Sequence, residues 1–535
     1  MATLMYGGPI YTMIEEGHQV EAVLTKDGKI MKIGCKAELE AAYLGEIDKK
    51  IDLQGCTMIP GIVDSHIHLI GHGERLIRLD LSSCKNRQEV FEAVKAYSLG
   101  LKDGEWLIGE GWNENLWDEP TPLHKAELDE IVPDRPVLLK RICRHAIVVN
   151  SLALEAAGID EKTKIPAGGV ISTDADGSIS GVLKDSAQVL IYSVVPEASE
   201  DYLLRAIKAS IHDLYSLGIT GVHTEDLNYY GSFEKTLRVF IRAIENDGLK
   251  FRAHLLVHHG VIEDFANGGF SFHSGNEWVE FGAMKIFSDG ALGGRTALLS
   301  EPYDDEPSTN GVAIFTRDEL SKLVGEARKH NMPVAIHAIG DLGFEYCLDA
   351  IEAHPLKGPG RDRLIHAQIL REDLIERAAK LPLVLDLQPV FLQSDFPWVI
   401  DRIGTSRLEH AYAWKTLIDR GIACSGGSDA PIEYPDPFKG IDSAVNRIAN
   451  GNVYGAGQAL TVYEALSLYT KGSAFAASHE NDRGEIREGN IADFTVIDRD
   501  LFTIPKETIA ETKAVMTIIG GEVVFETSSD FFNKI

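Results

Sequence analysis

Between residues 58 and 426 the chain repeats one pattern eight times: a short apolar run of strand type, followed in most cases by an amphipathic helical stretch. The runs fall at 58–69, 218–224, 251–257, 283–288, 334–338, 364–368, 383–388 and 422–426. Helical periodicity lies between them at 202–217, 233–247, 317–330, 343–353, 371–380 and 414–420. Strands alternating with helices build a parallel sheet, because parallel neighbours need a crossover and a helix supplies it. Eight such strands are the number that closes a (β/α)8 TIM-type barrel. The gap between the first two runs is too long for one crossover, so an insertion occupies roughly 80–200. It carries Trp106, Trp112, Trp117, His124 and a Gly-rich hairpin at 167–183. An insertion after strand one emerges at the barrel end that carries active sites, where it can serve as a lid or specificity wall.

The chain ends are different in kind. Short strands punctuated by turns read at 10–14, 22–24, 31–33 and 50–53, and again through 484–498. A hairpin at 514–525 turns on Gly520-Gly521. These ends predict a small β-sandwich domain assembled from residues 1–57 and 479–535, flanking a barrel of 58–478.

A net charge of −29 opposes phosphate binding and so argues against nucleic acid or an anionic membrane as partner. The six cysteines contain no Cys-x-x-Cys pair, which speaks against a disulfide framework and a thiolate zinc site. The first 19 residues carry Glu15 and Glu16 and lack a basic leader with an apolar core, and no apolar run is long enough to span a bilayer. The expectation is a cytoplasmic enzyme acting on a small molecule, with a homodimer as the default oligomer.

The chemistry concentrates at strand ends. Met58-Ile-Pro-Gly-Ile-Val-Asp-Ser-His-Ile-His-Leu69 places His66 and His68 two positions apart, hence on one face of a strand. Lys285 lies on strand four, His337 on strand five and His366 on strand six, and Asp429 follows strand eight. A lone strand histidine is usually a packed core residue, and His223, His254, His258, His259 and His273 read that way or as supporting groups. Four histidines and an aspartate in barrel order form a metal-ligand set instead. Imidazole and carboxylate suit Zn²⁺, with Mn²⁺, Fe²⁺, Ni²⁺ or Co²⁺ as alternatives. Asp429 is placed to take a proton from water and return it to a leaving nitrogen, so it reads as both ligand and general acid/base. An ammonium cannot ligate a cation, and on spacing alone Lys285 reads as one half of a salt bridge.

These motifs resemble the amidohydrolase superfamily, and in particular its YtcJ-like, amidohydrolase-3 branch. The resemblance covers the His66/His68 strand, Arg144-His145 with Asn150-Ser151, Gly181–Asp185, Lys285-Ile-Phe-Ser-Asp-Gly, Asp289–Ala297, His337, His366, Ser428-Asp429 and Gly484–Asp498. It implies an N-carboxylated Lys285 bridging two metal ions; without that modification the site holds one. It also implies that His145 faces the metals and can meet a substrate carbonyl, a structural cap being the other reading. Asp289 and Arg295 would bind polar substrate groups, unless they pair with each other, and Trp112 would pack on an apolar group, unless it belongs to the lid core. Lys184-Asp185 departs from the Arg/Lys-Glu pair of many relatives, one methylene short.

The leading functional expectation is hydrolysis of a non-peptide carbon–nitrogen bond, amide or formamide, in a small molecule; relatives implied by the resemblance include N-substituted formamide deformylases. Deamination of a cyclic or amidine-type substrate is the alternative, weakened by Ala338-Ile-Gly-Asp341 where deaminase relatives carry a glutamate motif. A non-catalytic metal-dependent binding protein is the third reading.

Overall fold

The computed structural model describes residues 1–117, 120–142, 145–166 and 168–527. Arg144 of the resemblance motif, Cys143 and the first residue of the expected 167–183 hairpin lie outside the described residues, as does the segment after 527. The chain divides into two compact units, Met1–Gly73 with Glu200–Ile535, and Glu74–Ser199.

The first unit contains the barrel. Its eight parallel strands are Ile62–Ile67, Ile219–Thr224, Arg252–His258, Val279–Phe287, Val334–Ala338, Asp362–His366, Leu383–Leu387 and Ala423–Gly426, neighbouring one another in chain order. Their side chains are almost all buried, as expected of strands covered on both faces. Strand eight meets strand one through its following loop: Asp429 N donates to His66 O at 2.7 Å, and Ser428 N to Asp64 Oδ1 at 3.1 Å. Gly427 permits that approach, since a Cβ there would stand 2.6 Å from His66 N.

The run expected as one strand over 58–69 is two. Thr57–Pro60 pairs with Phe494–Ile497 and Ala2–Tyr11, and only Ile62–Ile67 enters the barrel. The break is at Gly61, whose N–H donates to Asp493 O at 2.9 Å and where any Cβ would stand 2.5 Å from Thr220 Oγ1. The chain ends do combine, in one mostly antiparallel eight-stranded sheet. Its N-terminal strand runs Ala2–Tyr11 rather than 10–14, because Met13 (φ 59°) and Gly17 (φ 76°) turn the chain back into Gln19–Lys26. A short helix, Lys36–Ala42, was not expected; its residues are strong helix formers, but only Leu39 is buried, so it shows little apolar periodicity. The hairpin of Ala514–Ile519 and Glu522–Glu526 forms as expected.

Inside the barrel lies a polar layer. Arg363 Nε donates to Asp386 Oδ2 at 2.8 Å and its Nη2 to Ser65 O at 2.6 Å, while Ser65 and Ser425 both donate to Asp386 Oδ1. All four are buried.

The second unit has its own six-stranded sheet, ordered Gly169–Thr173, Ile179–Asp185, Ala146–Val149, Val137–Arg141, Leu107–Trp112 and Leu79–Asp80, with helices such as Arg87–Ser98 and Lys125–Ile131. Among the described residues no helix is long and apolar enough to cross a membrane, and the five described cysteines are free thiols.

Candidate metal centre

The barrel places the expected ligands at the C-terminal ends of their strands, where side chains from distant segments converge. His66 (1% exposed) ends strand one, His366 (3%) ends strand six and Asp429 (9%) follows strand eight. One donor atom from each lies within 4.8 Å of the other two. His66 Nε2 stands 3.4 Å from Asp429 Oδ1 and 3.4 Å from Lys285 Nζ. His68 Nε2 is also 3.4 Å from Asp429 Oδ1, and its Nδ1 is held 2.8 Å from the Glu225 carbonyl. The His337 ring lies 4.5 Å from that of His366, but its Nε2 is 3.0 Å from Gly290 O, so Nδ1 is the nitrogen left for another partner.

Lys285 is fully buried and, among the described residues, has no carboxylate within ion-pair distance; its Nζ rests 4.2 Å over the Phe287 ring. This corrects the salt-bridge reading. Burial lowers its pKa and favours the neutral amine. Burial likewise pushes His366 down to about 4 and His66 and His337 well below the usual range, leaving imidazole lone pairs. Both nitrogens of His366 and Nδ1 of His66 are buried with no hydrogen-bond partner. Burial works against the charge on Asp429, but its interaction with His68, above all the hydrogen bond, overcomes it and holds the carboxyl below its ordinary value.

The expected substrate contacts fare differently. Asp289 is buried and its carboxylate is consumed by backbone: Leu298 N and Gly340 N donate to Oδ2 at 2.8 Å each, and Ile339 N to Oδ1 at 3.1 Å. It organises two loops, and leaves no oxygen free for substrate. Asp289→Ala would strand those three amides. Because each buried unsatisfied group costs about 1–3 kcal/mol, the variant should unfold at clearly lower urea than wild type. An unchanged urea midpoint would contradict this role. Arg295 pairs with Asp305 at 2.9 Å and Glu306 at 3.4 Å, not with Asp289, and is committed to its own loop. Trp112 is 1% exposed, beside Trp117, with Nε1 donating to Leu139 O at 3.3 Å, so it is core of the second unit rather than a substrate wall. His145, also in that unit, is exposed, with Nδ1 3.1 Å from Asp185 Oδ1.

Sequence reasoning missed Glu225, fully buried just past strand two, where Tyr229 Oη donates to Oε2 at 2.7 Å and Oε1 has no partner. A signal existed: the His-Thr-Glu-Asp run at 223–226 puts carboxylates at the catalytic end of a barrel strand.

Histidines, a lysine and an aspartate gathered at the strand ends of a parallel barrel make a candidate metal centre at the end where such barrels carry active sites. The chain matches the model of the Amidohydrolase family (Amidohydro_3) over residues 49–525, and it belongs to that family. It is 51% identical over 532 residues to YtcJ of Bacillus subtilis (strain 168), covering 99% of this chain and 100% of that one. It is 26% identical over 527 residues to an N-substituted formamide deformylase of Arthrobacter pascens, covering 95% of each. The crystal structure of an uncharacterized metal-dependent hydrolase from Pyrococcus horikoshii OT3 superposes with a TM-score of 0.80 at 29% identity, over 95% of this chain and 99% of that one.

Proposed function

We propose that this chain is a metal-dependent hydrolase of a carbon–nitrogen bond, amide or formamide, in a small molecule. The observation that carries the reading is the convergence of His66, His366 and Asp429 beside a buried lysine that makes no contact ion pair among the described residues. Orphaned imidazole nitrogens inside a protein are costly unless something ligates them, and a divalent cation does so. His66, His68, His337, His366 and Asp429 would hold it, with Zn²⁺ the ion best matched to this donor set. Lys285 would join them if its amine took up CO2: the nitrogen lone pair attacks carbon, a proton leaves, and the resulting carbamate anion would supply the oxygen donors that an ammonium lacks. When bound, such an ion supplies Lewis acidity, which acidifies water and polarises a carbonyl.

The protein's own groups do the rest. Asp429, kept ionised, accepts a proton from the attacking water at its carboxylate as oxygen adds to the carbonyl carbon. It then delivers that proton to nitrogen as the C–N bond breaks, releasing an acid and an amine. The formamide deformylase of Arthrobacter pascens supports N-formyl amines as the first substrates to assay.

Dialysis against a chelator should abolish hydrolysis of N-formyl and N-acyl amines, and added Zn²⁺, Mn²⁺ or Co²⁺ should restore it. Turnover that persists in protein shown to be metal-free would overturn the reading.

A further inference from the structure

The geometry points to a second, structural site for Zn²⁺ or a similar divalent transition ion at the opposite end of the barrel, formed by His273, Glu280 and His479. One donor atom from each of these residues lies within 4.8 Å of the other two. Glu280 is near the start of strand four, five residues before Lys285; at about 3.3 Å per residue the two lie roughly 16 Å apart along the strand. The cluster therefore shares no ligand with the centre at the strand ends, and it stands whether or not that centre is catalytic.

Each donor is held by the fold. His273 precedes strand four in a left-handed conformation (φ 63°), with its N–H donating to Phe281 O at 2.8 Å and its Nε2 2.9 Å from Ala477 O. His479 follows the last barrel helix, Ser473–Ala476. Its Nδ1 lies 3.1 Å from Asp482 Oδ1, an arrangement that orients a metal-binding imidazole by a carboxylate on its far nitrogen. The other nitrogen, Nε2, is directed at Glu280 Oε1, 2.6 Å away. The His273 and His479 rings are stacked, 5.3 Å between centroids with planes 14° apart. His254 adds a further nitrogen, with Nδ1 3.0 Å from the same Glu280 oxygen. Behind it His223, 4% exposed, has its ring 4.9 Å from that of His254 and a buried Nδ1 without a partner.

Two imidazoles, His254 and His479, meet on one carboxylate oxygen, and His273 brings a third within 4.8 Å; imidazoles and a carboxylate are the donor types of a zinc site. Glu280 is buried, while His273 and His479 are partly exposed and present the cluster to solvent. Bound there, it would join strands three and four to the segment that leads from the barrel into the composite sheet. It would act by holding these segments together, since its ligands occupy the end of the barrel away from the proposed chemistry.

The test is a zinc count on the full chain. Protein equilibrated with Zn²⁺ and freed of excess by gel filtration is analysed by mass spectrometry for wild type, His273→Gln and His479→Gln. Each variant should hold one zinc per chain fewer than wild type and retain hydrolytic activity per folded molecule. Equal counts in all three would overturn the proposal. Because His479→Gln can fail to fold, wild-type crystals soaked in Zn²⁺ and measured at the zinc edge give an independent reading. An anomalous peak between His273, Glu280 and His479 supports the site, and its absence when the other centre is loaded rejects it.

Discussion

Replacing Asp429 by Asn should lower kcat by about 10³-fold while leaving metal content near that of wild type. The amide has nearly the same shape as the carboxylate, so its oxygen can still sit 3.4 Å from the Nε2 atoms of His66 and His68. What it cannot do is accept a proton from water, because it carries no anionic oxygen. The paired readout separates two roles: a general acid/base loses turnover with metal retained, whereas an indispensable ligand loses both. Full activity in Asp429→Asn would sink the proposed proton transfer altogether, and another group would have to supply it.

A second large effect lies deeper, in the barrel's polar layer. Asp386→Ala should lower stability by about 3–5 kcal/mol, a large part of the roughly 5–15 kcal/mol that holds a typical domain folded. Asp386 is completely buried and neutralises Arg363, which is 1% exposed. Removing the carboxylate leaves a guanidinium in the barrel interior with no counter-charge, and leaves the hydroxyls of Ser65 and Ser425 without their acceptor. The urea midpoint measures this directly. Replacing both Arg363 and Asp386 with apolar residues should recover part of the loss, since a charge that is absent needs no partner. A midpoint unaffected by Asp386→Ala would mean that water reaches the layer.

The barrel was legible because its signals are local. Strand and helix periodicities alternate along the chain, and a His-x-His on a strand tells of itself that both rings share a face. His66, His366 and Asp429 are drawn together by closure of the cylinder, which the strand count alone anticipates. What escaped depends on partners far away in sequence. The apolar run from 58 to 69 looks continuous until Thr495 Oγ1 takes the Ile62 N–H, 433 positions distant. Asp289 resembles a substrate contact because an acid after a barrel strand usually is one; only the loops carrying Leu298 and Gly340 reveal that its oxygens are already taken. Trp112 reads equally well as wall or core, since large aromatics serve both. His273, Glu280 and His479 had no shared pattern to betray them, being brought together from a loop, a strand and the stretch after the last barrel helix.

The pairing of Thr57–Pro60 with Phe494–Ile497 has a consequence for biosynthesis. A ribosome emits the N-terminal half of this sheet long before the strands that complete it. The nascent chain must therefore carry an unfinished edge through most of its translation, and exposed edges invite wrong pairings. Products that stop short of residue 494 can never seal it. Strand Phe494–Ile497 thus covers an edge that stays open to wrong partners until that strand has been made.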